Sequence, residues 1–224
     1  MYLMPQSFEI LYPNLEEFGE PKRLVKLIEQ AGRVCYQSES KGYPEDFVRK
    51  IVRSGHHSVI EHVNFTVCFV TDRGVTHELV RHRLASYSQE STRYCRYKHG
   101  LSIIRPVHLE QVLPLGEYSM GPDGHVLYEG SALRTDLTAS CWVGGMLAAE
   151  KNYLMLLDEG WSPQEARSVL PNSLKTEIIM TANIREWRHI FSLRCTQAAH
   201  PQIRALLEPL QARFQEALPS LFKV

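Results

Sequence analysis

Apolar positions recur along this chain at helical and at alternating spacing, and they predict its elements in order. Phe8, Ile10 and Leu11 suggest a short strand within residues 1–18. Pro21 stands where a first helical turn tolerates proline. Leu24, Val25, Leu27, Ile28 and Ala31 follow at helical spacing, which predicts an amphipathic helix over 21–36. A second helix is expected from Pro44, with Glu45 and Asp46 in its first turn, Phe47, Val48 and Ile51 as its stripe, and Gly55 as its stop. Val63, Phe65, Val67 and Phe69 alternate, which predicts a strand over 63–70. Asp72-Arg73-Gly74 reads as a turn, and Val75 to about Leu84 as a helix.

No period is clear from Ser86 to Tyr97, which reads as a loop, and Ile103 to Pro106 suggests a short strand. Glycine and proline crowd 114–130, where Pro122-Asp123-Gly124 marks a tight turn at a hairpin tip. Ser131 to Asp158 has apolar residues throughout and no proline, so it predicts one long helix capped by Ser131 and stopped at Gly160. Ser162-Pro163-Gln164-Glu165 is a capping box with proline at the first helical position. A short helix carrying Arg167 should end at Leu170-Pro171. Thr176 to Ala182 reads as a strand. Asn183 to Thr196 reads as a helix with Asn183 as N-cap and Glu186 three residues on, and Pro201 to about Leu218 as the last amphipathic helix.

Composition narrows the class. The chain has 224 residues, enough for a sizeable core, and no repeat or linker divides it, so it is expected to form a single domain over 1–224. Its 25 basic residues balance 25 acidic ones. Tight nonspecific nucleic-acid binding normally shows a basic domain, so nucleic acid is not an expected partner. The five cysteines are scattered and form no Cys-x-x-Cys pair, which favours reduced thiols in the cytoplasm over a disulfide or zinc framework. There is no signal-peptide pattern at the N-terminus, and no apolar run approaches the ~20 residues that span a bilayer, so no membrane association is expected.

Against that balance one stretch stands out: Arg81-His82-Arg83-Leu84-Ala85-Ser86-Tyr87-Ser88-Gln89-Glu90-Ser91-Thr92-Arg93-Tyr94. From Arg81 to Arg105 there are six Lys or Arg (Arg81, Arg83, Arg93, Arg96, Lys98, Arg105) against the single acid Glu90. Arginine forks match phosphate and planar acceptors with paired hydrogen bonds, and Ser and Gln complete such a shell. The stretch therefore suits a small planar anion such as a nucleotide, although a solvated basic face or an RNA-binding patch has the same charge. The helix from Asn183 is also dense in donors, with Arg185, Arg188, His189 and Arg194. Gly55-His56-His57-Ser58-Val59-Ile60-Glu61-His62 invites a metal, but it does not match the His and Glu spacings of helical zinc motifs, so a zinc hydrolase is the weaker alternative and no metal is expected. The chain has no Gly-x-Gly-x-x-Gly or Walker loop, and no evident nucleophile or triad. Such a set fits a reaction in which a cofactor carries the chemistry and the protein supplies orientation and charge.

The order of residues within these stretches resembles the flavin-dependent thymidylate synthases. Their signature is Arg-His-Arg, seven residues, then Ser, matched here by Arg81-His82-Arg83 and Ser91 with Arg93-Tyr94 closing it. The segment 55–62 resembles their second motif, Gly-His-x-Ser/Thr-x-x-Glu-His, and the likeness runs with gaps from about Gly32 to about Arg204.

The resemblance implies an α+β fold with a mixed or antiparallel sheet flanked by helices, assembled as a homotetramer with active sites shared between subunits. It implies conversion of dUMP to dTMP, with methylenetetrahydrofolate as one-carbon donor and FAD, reduced by NADPH, as hydride carrier. Residue by residue, it gives FAD to Ser58, Arg81, His82, Arg83, Gln89, Asn183, Ile184, Arg185 and His189. It gives dUMP to Glu78, Leu79, Val80, Arg81, Gln89, Glu90, Ser91, Thr92, Arg93, Arg167 and Arg194, with Arg194 the catalytic arginine that faces the pyrimidine and favours ionisation at N3. Two positions depart in kind, Glu78 and Gln89, where some members carry Gln and Glu. The stretch Ala199-His200-Pro201-Gln202-Ile203-Arg204 departs from the usual Ala-Gln-Trp-Glu-Ile-Arg.

Overall fold

A computed structural model of the chain describes residues 1–35, 37–40 and 42–224. The described residues fall into two compact units. Unit 1 holds 1–7, 70–79 and 89–178; unit 2 holds 8–69, 80–88 and 179–224.

Unit 1 is built on a five-stranded sheet in the order β5-β1-β6-β7-β8, with β1 Tyr2–Met4, β5 Ser102–Ile104, β6 Gly116–Met120, β7 Val126–Tyr128 and β8 Ser131–Ala132. β1 pairs parallel with β5 and antiparallel with β6, so the sheet is mixed, and β6 and β7 form the expected hairpin. At its tip Gly124 takes φ 81° and its N–H donates to the Gly121 carbonyl, the conformation the Pro-Asp-Gly sequence called for. The helix α4 spans Leu137–Asp158 and buries Ala139, Val143, Leu147 and Tyr153 in a core with Leu3, Ile103 and Tyr118. Its start corrects the expectation of Ser131. Ser131 belongs to β8, and Asp136 is the N-cap, its carboxylate accepting from Ala139 N at 2.8 Å. Gly160 ends the helix as expected, at φ 89°. The capping box holds at Ser162 and Glu165, starting α5 Pro163–Ala166 and leading into a 3₁₀ turn over Arg167–Val169.

Unit 2 gathers helices on an aromatic core. α1 Glu20–Val34 and α2 Pro44–Arg53 lie where the apolar spacing puts them, and the last position predicted for the first helix, residue 36, is outside the described residues. Gly55 takes φ 74°, and His56 N donates to Ile51 O, closing α2 with a left-handed stop. α6 Ile184–Arg194, α7 Pro201–Ala217 and α8 Pro219–Phe222 follow. Trp187, Phe191, Phe65, Phe214 and Phe222 pack ring against ring, the closest pair being Phe65 and Phe214 at 4.4 Å between centroids.

A second sheet has the order β2-β3-β9-β4, with β2 Ser7–Tyr12, β3 Asn64–Asp72, β9 Lys175–Asn183 and β4 Ala85–Gln89. Phe65, Val67 and Phe69 point to its buried face, as their alternation predicts.

Three expectations fail here. Asp72-Arg73-Gly74 is not a free turn: Asp72 accepts from Val75 N at 2.7 Å and starts the helix α3 Arg73–Leu79. That helix stops at Leu79 and not near Leu84, because the apolar face does not continue: Val80 and Leu84 are exposed. Arg81, His82 and Arg83 therefore lie beyond the helix. Residues 86–89, expected as loop, belong to the strand β4, whose polar residues hid its alternation. The fold class is α+β, with a mixed sheet and helices around it. Among the described residues no helix is long and apolar enough to cross a membrane.

Candidate active site

In unit 1 the residues from Gln89 to Arg93 are braced on both sides. Gln89 Nε2 donates to Thr76 Oγ1 at 3.0 Å and to Thr176 Oγ1 at 3.3 Å, both on buried threonines. The next residue reverses the charge logic. Glu90 accepts from the Tyr97 hydroxyl at 2.6 Å and from Lys175 Nζ at 3.2 Å, while its N–H donates to the Glu177 carbonyl at 2.9 Å. Lys175 also meets Glu177 at 2.5 Å. Burial pulls the Lys175 ammonium down, but its bonds to Glu177 and Glu90 outweigh that and leave it raised. Burial, then the bond to Glu90, pushes the Tyr97 phenol far above its ordinary range.

Ser91 opens a turn. Its carbonyl accepts from Tyr94 N and Cys95 N, and its hydroxyl accepts from Arg93 N at 3.3 Å. Thr92 is buried and accepts from Arg167 Nη1 at 3.5 Å, while Arg93 is exposed beside the Tyr94 ring. Of the nucleotide residues expected from sequence, unit 1 thus brings together Gln89 to Arg93 and Arg167. Glu78 is half-buried on α3, and Leu79 is wholly buried in the core.

In unit 2 the helix α6 carries the site. Asn183 caps it, accepting from Glu186 N at 2.9 Å, and Trp187, Ile190 and Phe191 bury the opposite face. Arg185, Arg188, His189 and Ser192 are left to line a cavity of about 830 Å³ with His57, Glu61, Leu84, Asn183 and Glu186. Ligand sites commonly have volumes of about 300–1,000 Å³. Arg185 pairs with Glu61 across the cavity wall at 2.7 Å. Arg81 and Arg83 are exposed, and Ser58 is exposed beside His57 on a 3₁₀ turn over His57–His62. Ile184 is wholly buried, so only its main chain can meet a ligand. Among the described residues no group of three or more His, Cys, Asp or Glu converges on a metal position.

The charged interior of unit 2 centres on His82, which is 5% exposed. Its Nδ1 lies 3.4 Å from Glu186 Oε1, and its Nε2 accepts from Arg194 Nε at 3.1 Å. The His189 ring stands edge-on at 6.1 Å, and the Tyr87 hydroxyl donates to the His82 carbonyl. Burial, then the Arg194 charge, then His189, holds the His82 imidazole down at about 4, so it is neutral at working pH. Sequence reasoning named Glu186 only for its place near the N-cap. Its burial and its partner lie in tertiary structure. Arg188, His57 and Glu61 were noted as polar, but only the fold puts them on one cavity. Thr76, Thr176, Tyr97 and Lys175 carried no local signal at all.

Comparison with known proteins agrees with these stretches. The family model described as thymidylate synthase complementing protein matches residues 21–220. A flavin-dependent thymidylate synthase of Geobacter sulfurreducens is 34% identical over 219 residues, covering 93% of this chain and 84% of the relative. One of Mycolicibacterium vanbaalenii is 36% identical over 204 residues, covering 88% and 77%. Among solved structures, the UMP/dUMP methylase PolB from Streptomyces cacaoi bound with 5-Br UMP superposes with a TM-score of 0.73 at 22% identity, covering 100% of this chain and 95% of that one, a likeness of fold. With the family model spanning most of its length and relatives above 30% identity over nearly all of it, this chain belongs to the flavin-dependent thymidylate synthase family.

Proposed function

We propose that the chain converts dUMP to dTMP, with methylenetetrahydrofolate as one-carbon donor and NADPH as reductant. The observation that carries this is its 34–36% identity, over most of its length, to relatives named for that activity. The whole of 1–224 acts as one catalytic domain in a cytoplasmic homotetramer, with neither nucleic acid nor membrane as partner. The cavity on α6 fits part of a dinucleotide: about 830 Å³, guanidinium donors at Arg185 and Arg188, His189 beside them, and an apolar wall at Leu84. Arg185, His189, Asn183 and the main chain at Ile184 hold FAD there, with Ser58, Arg81 and Arg83. The ring nitrogens of His82 are engaged by Glu186 and Arg194, so a flavin contact at His82 runs through its main chain. Bound FAD supplies the hydride.

The chain's own residues do the rest. Arg93 and Arg167 hold the nucleotide phosphate with the paired donors of their planar guanidinium forks. Ser91 positions the nucleotide; a serine hydroxyl without an adjacent base is a weak nucleophile. Gln89 and Glu90 act by fixing the loop that carries Ser91 to Arg93, since their side chains are bonded within unit 1. The same family reading keeps Glu78, Leu79, Val80 and Arg81 along dUMP. Arg194 stabilises negative charge on the pyrimidine, which makes the ring a better nucleophile toward the one-carbon donor. The test is chromatography of nucleotides after incubation with dUMP, methylenetetrahydrofolate, NADPH and FAD. dTMP in the full mixture, and none when FAD or NADPH is omitted, is expected. Unchanged dUMP in the full mixture overturns the proposal.

A further inference from the structure

We infer that Glu186 and His82 are a positioning pair for Arg194: the carboxylate keeps the imidazole proton on Nδ1, and the bare Nε2 then fixes the guanidinium by accepting from its Nε. This rests on the functional proposal above, in which Arg194 faces the pyrimidine.

The contacts admit one proton arrangement. A guanidinium has donors and no acceptor, so His82 Nε2, 3.1 Å from Arg194 Nε, must present a lone pair. A neutral imidazole with a bare Nε2 carries its proton on Nδ1, and that proton needs an acceptor. Glu186 Oε1 stands 3.4 Å away and supplies it. Both residues are buried, His82 at 5% and Glu186 at 6% exposure, so water does not replace either partner. The other titratable groups around the ring are His189 and, through its bond to the His82 carbonyl, Tyr87. The opposite tautomer would set two donors, Nε2–H and the guanidinium Nε–H, against each other. An arginine held at Nε keeps its planar fork in one orientation, and misplacement of a reacting group by about 1 Å costs about a hundredfold. Glu186 also occupies the third position of α6, where a carboxylate would ordinarily bond back to the N-cap; here Asn183 accepts from Glu186 N, and the carboxylate turns to His82.

The test joins ¹⁵N NMR of the imidazoles in the wild type with a mutant cycle. The spectrum should show His82 protonated at Nδ1. His82→Leu should lower kcat about tenfold to a hundredfold, with the KM for dUMP and the flavin content within about twofold of wild type. His82→Gln, whose amide oxygen can take the place of Nε2, should recover most of the loss. In an Arg194→Ala background, His82→Leu should lower kcat no further. Losses that multiply in the double variant, normal turnover of His82→Leu, or a proton on Nε2 in a wild type that makes dTMP each overturn the pair alone. A His82→Leu chain that does not fold leaves the decision to the wild-type spectrum and to His82→Gln, where a kcat as low as that of Arg194→Ala overturns the pair. A wild type that makes no dTMP sinks the functional proposal and the role of the pair with it, whatever its tautomer.

Discussion

The two units hold polar groups in their interiors in opposite ways. In unit 1 the loop that carries Ser91 to Arg93 is tied by formal charges of both signs, Lys175 between Glu90 and Glu177, with Tyr97 bonded to Glu90. Lys175 is raised and Tyr97 is raised further, so both keep their protons throughout the neutral range. In unit 2 the same need for order is met by a neutral imidazole wedged between a carboxylate and a guanidinium, and its pKa is pushed down to about 4. The first arrangement is indifferent to pH near neutrality. The second is set by where one proton sits, and acid undoes it as pH falls toward about 4.

The largest effect that would sharpen this contrast is on Arg194. Donors placed where charge develops contribute roughly 3–4 kcal/mol, so Arg194→Ala should lower turnover about a hundredfold or more. Arg194→Lys should not restore it, because an ammonium lacks both the planar fork and the Nε–H that His82 accepts. Steady-state dTMP formation checks both variants, and near-normal rates with lysine would reduce Arg194 to a helix-end cation.

Next in size is acid sensitivity. The unfolded chain takes up the His82 proton near pH 6.5 and the folded chain only near 4, so the unfolded state binds more protons between these values. The contribution is fully present above about pH 6.5, falls as pH drops, and levels out below about 4, with a total of about 3 kcal/mol. Denaturant melts across that range should show the fall, and His82→Leu should flatten it. An unchanged slope in the variant would assign the acid sensitivity elsewhere.

Smaller still is the effect of Lys175→Met in unit 1. It strips a donor from half-buried Glu90 and should destabilise the fold by about 1–3 kcal/mol. Thermal melts between about pH 6 and 8 should give the same loss at each pH, since Lys175 and Tyr97 both keep their protons there. A loss that varies over that range would erase the contrast between the units.

Much of the fold is legible where the signal is local. The starts and stops at Pro44, Gly55, Gly160, Ser162 and Asn183 are each fixed by a few adjacent residues, and the structure puts them where their chemistry predicts. The misplaced boundaries have a common cause. Ser131 looks like a cap but is drawn into β8, and Val75 to Leu84 looks like one helix until the apolar face gives out at Val80. Strand β4 is mostly polar, so alternation could not reveal it. The arginine-rich stretch was visible as a site because its charge departs from a balanced chain. The bond from Arg194 to His82 joins residues 112 positions apart, and no spacing rule reaches that far.

We propose a division of labour, with the braced loop of unit 1 serving the nucleotide phosphate and the α6 cavity of unit 2 serving the flavin. Its most direct measurement is a pair of equilibrium titrations, dUMP and FAD, on Arg167→Ala and Arg185→Ala. Loss of one charged donor should weaken its own ligand about tenfold to a hundredfold. Arg167→Ala should weaken dUMP and leave FAD within about twofold, and Arg185→Ala should do the reverse. Equal weakening of both ligands by either variant, or an exchange of the two patterns, would contradict the account.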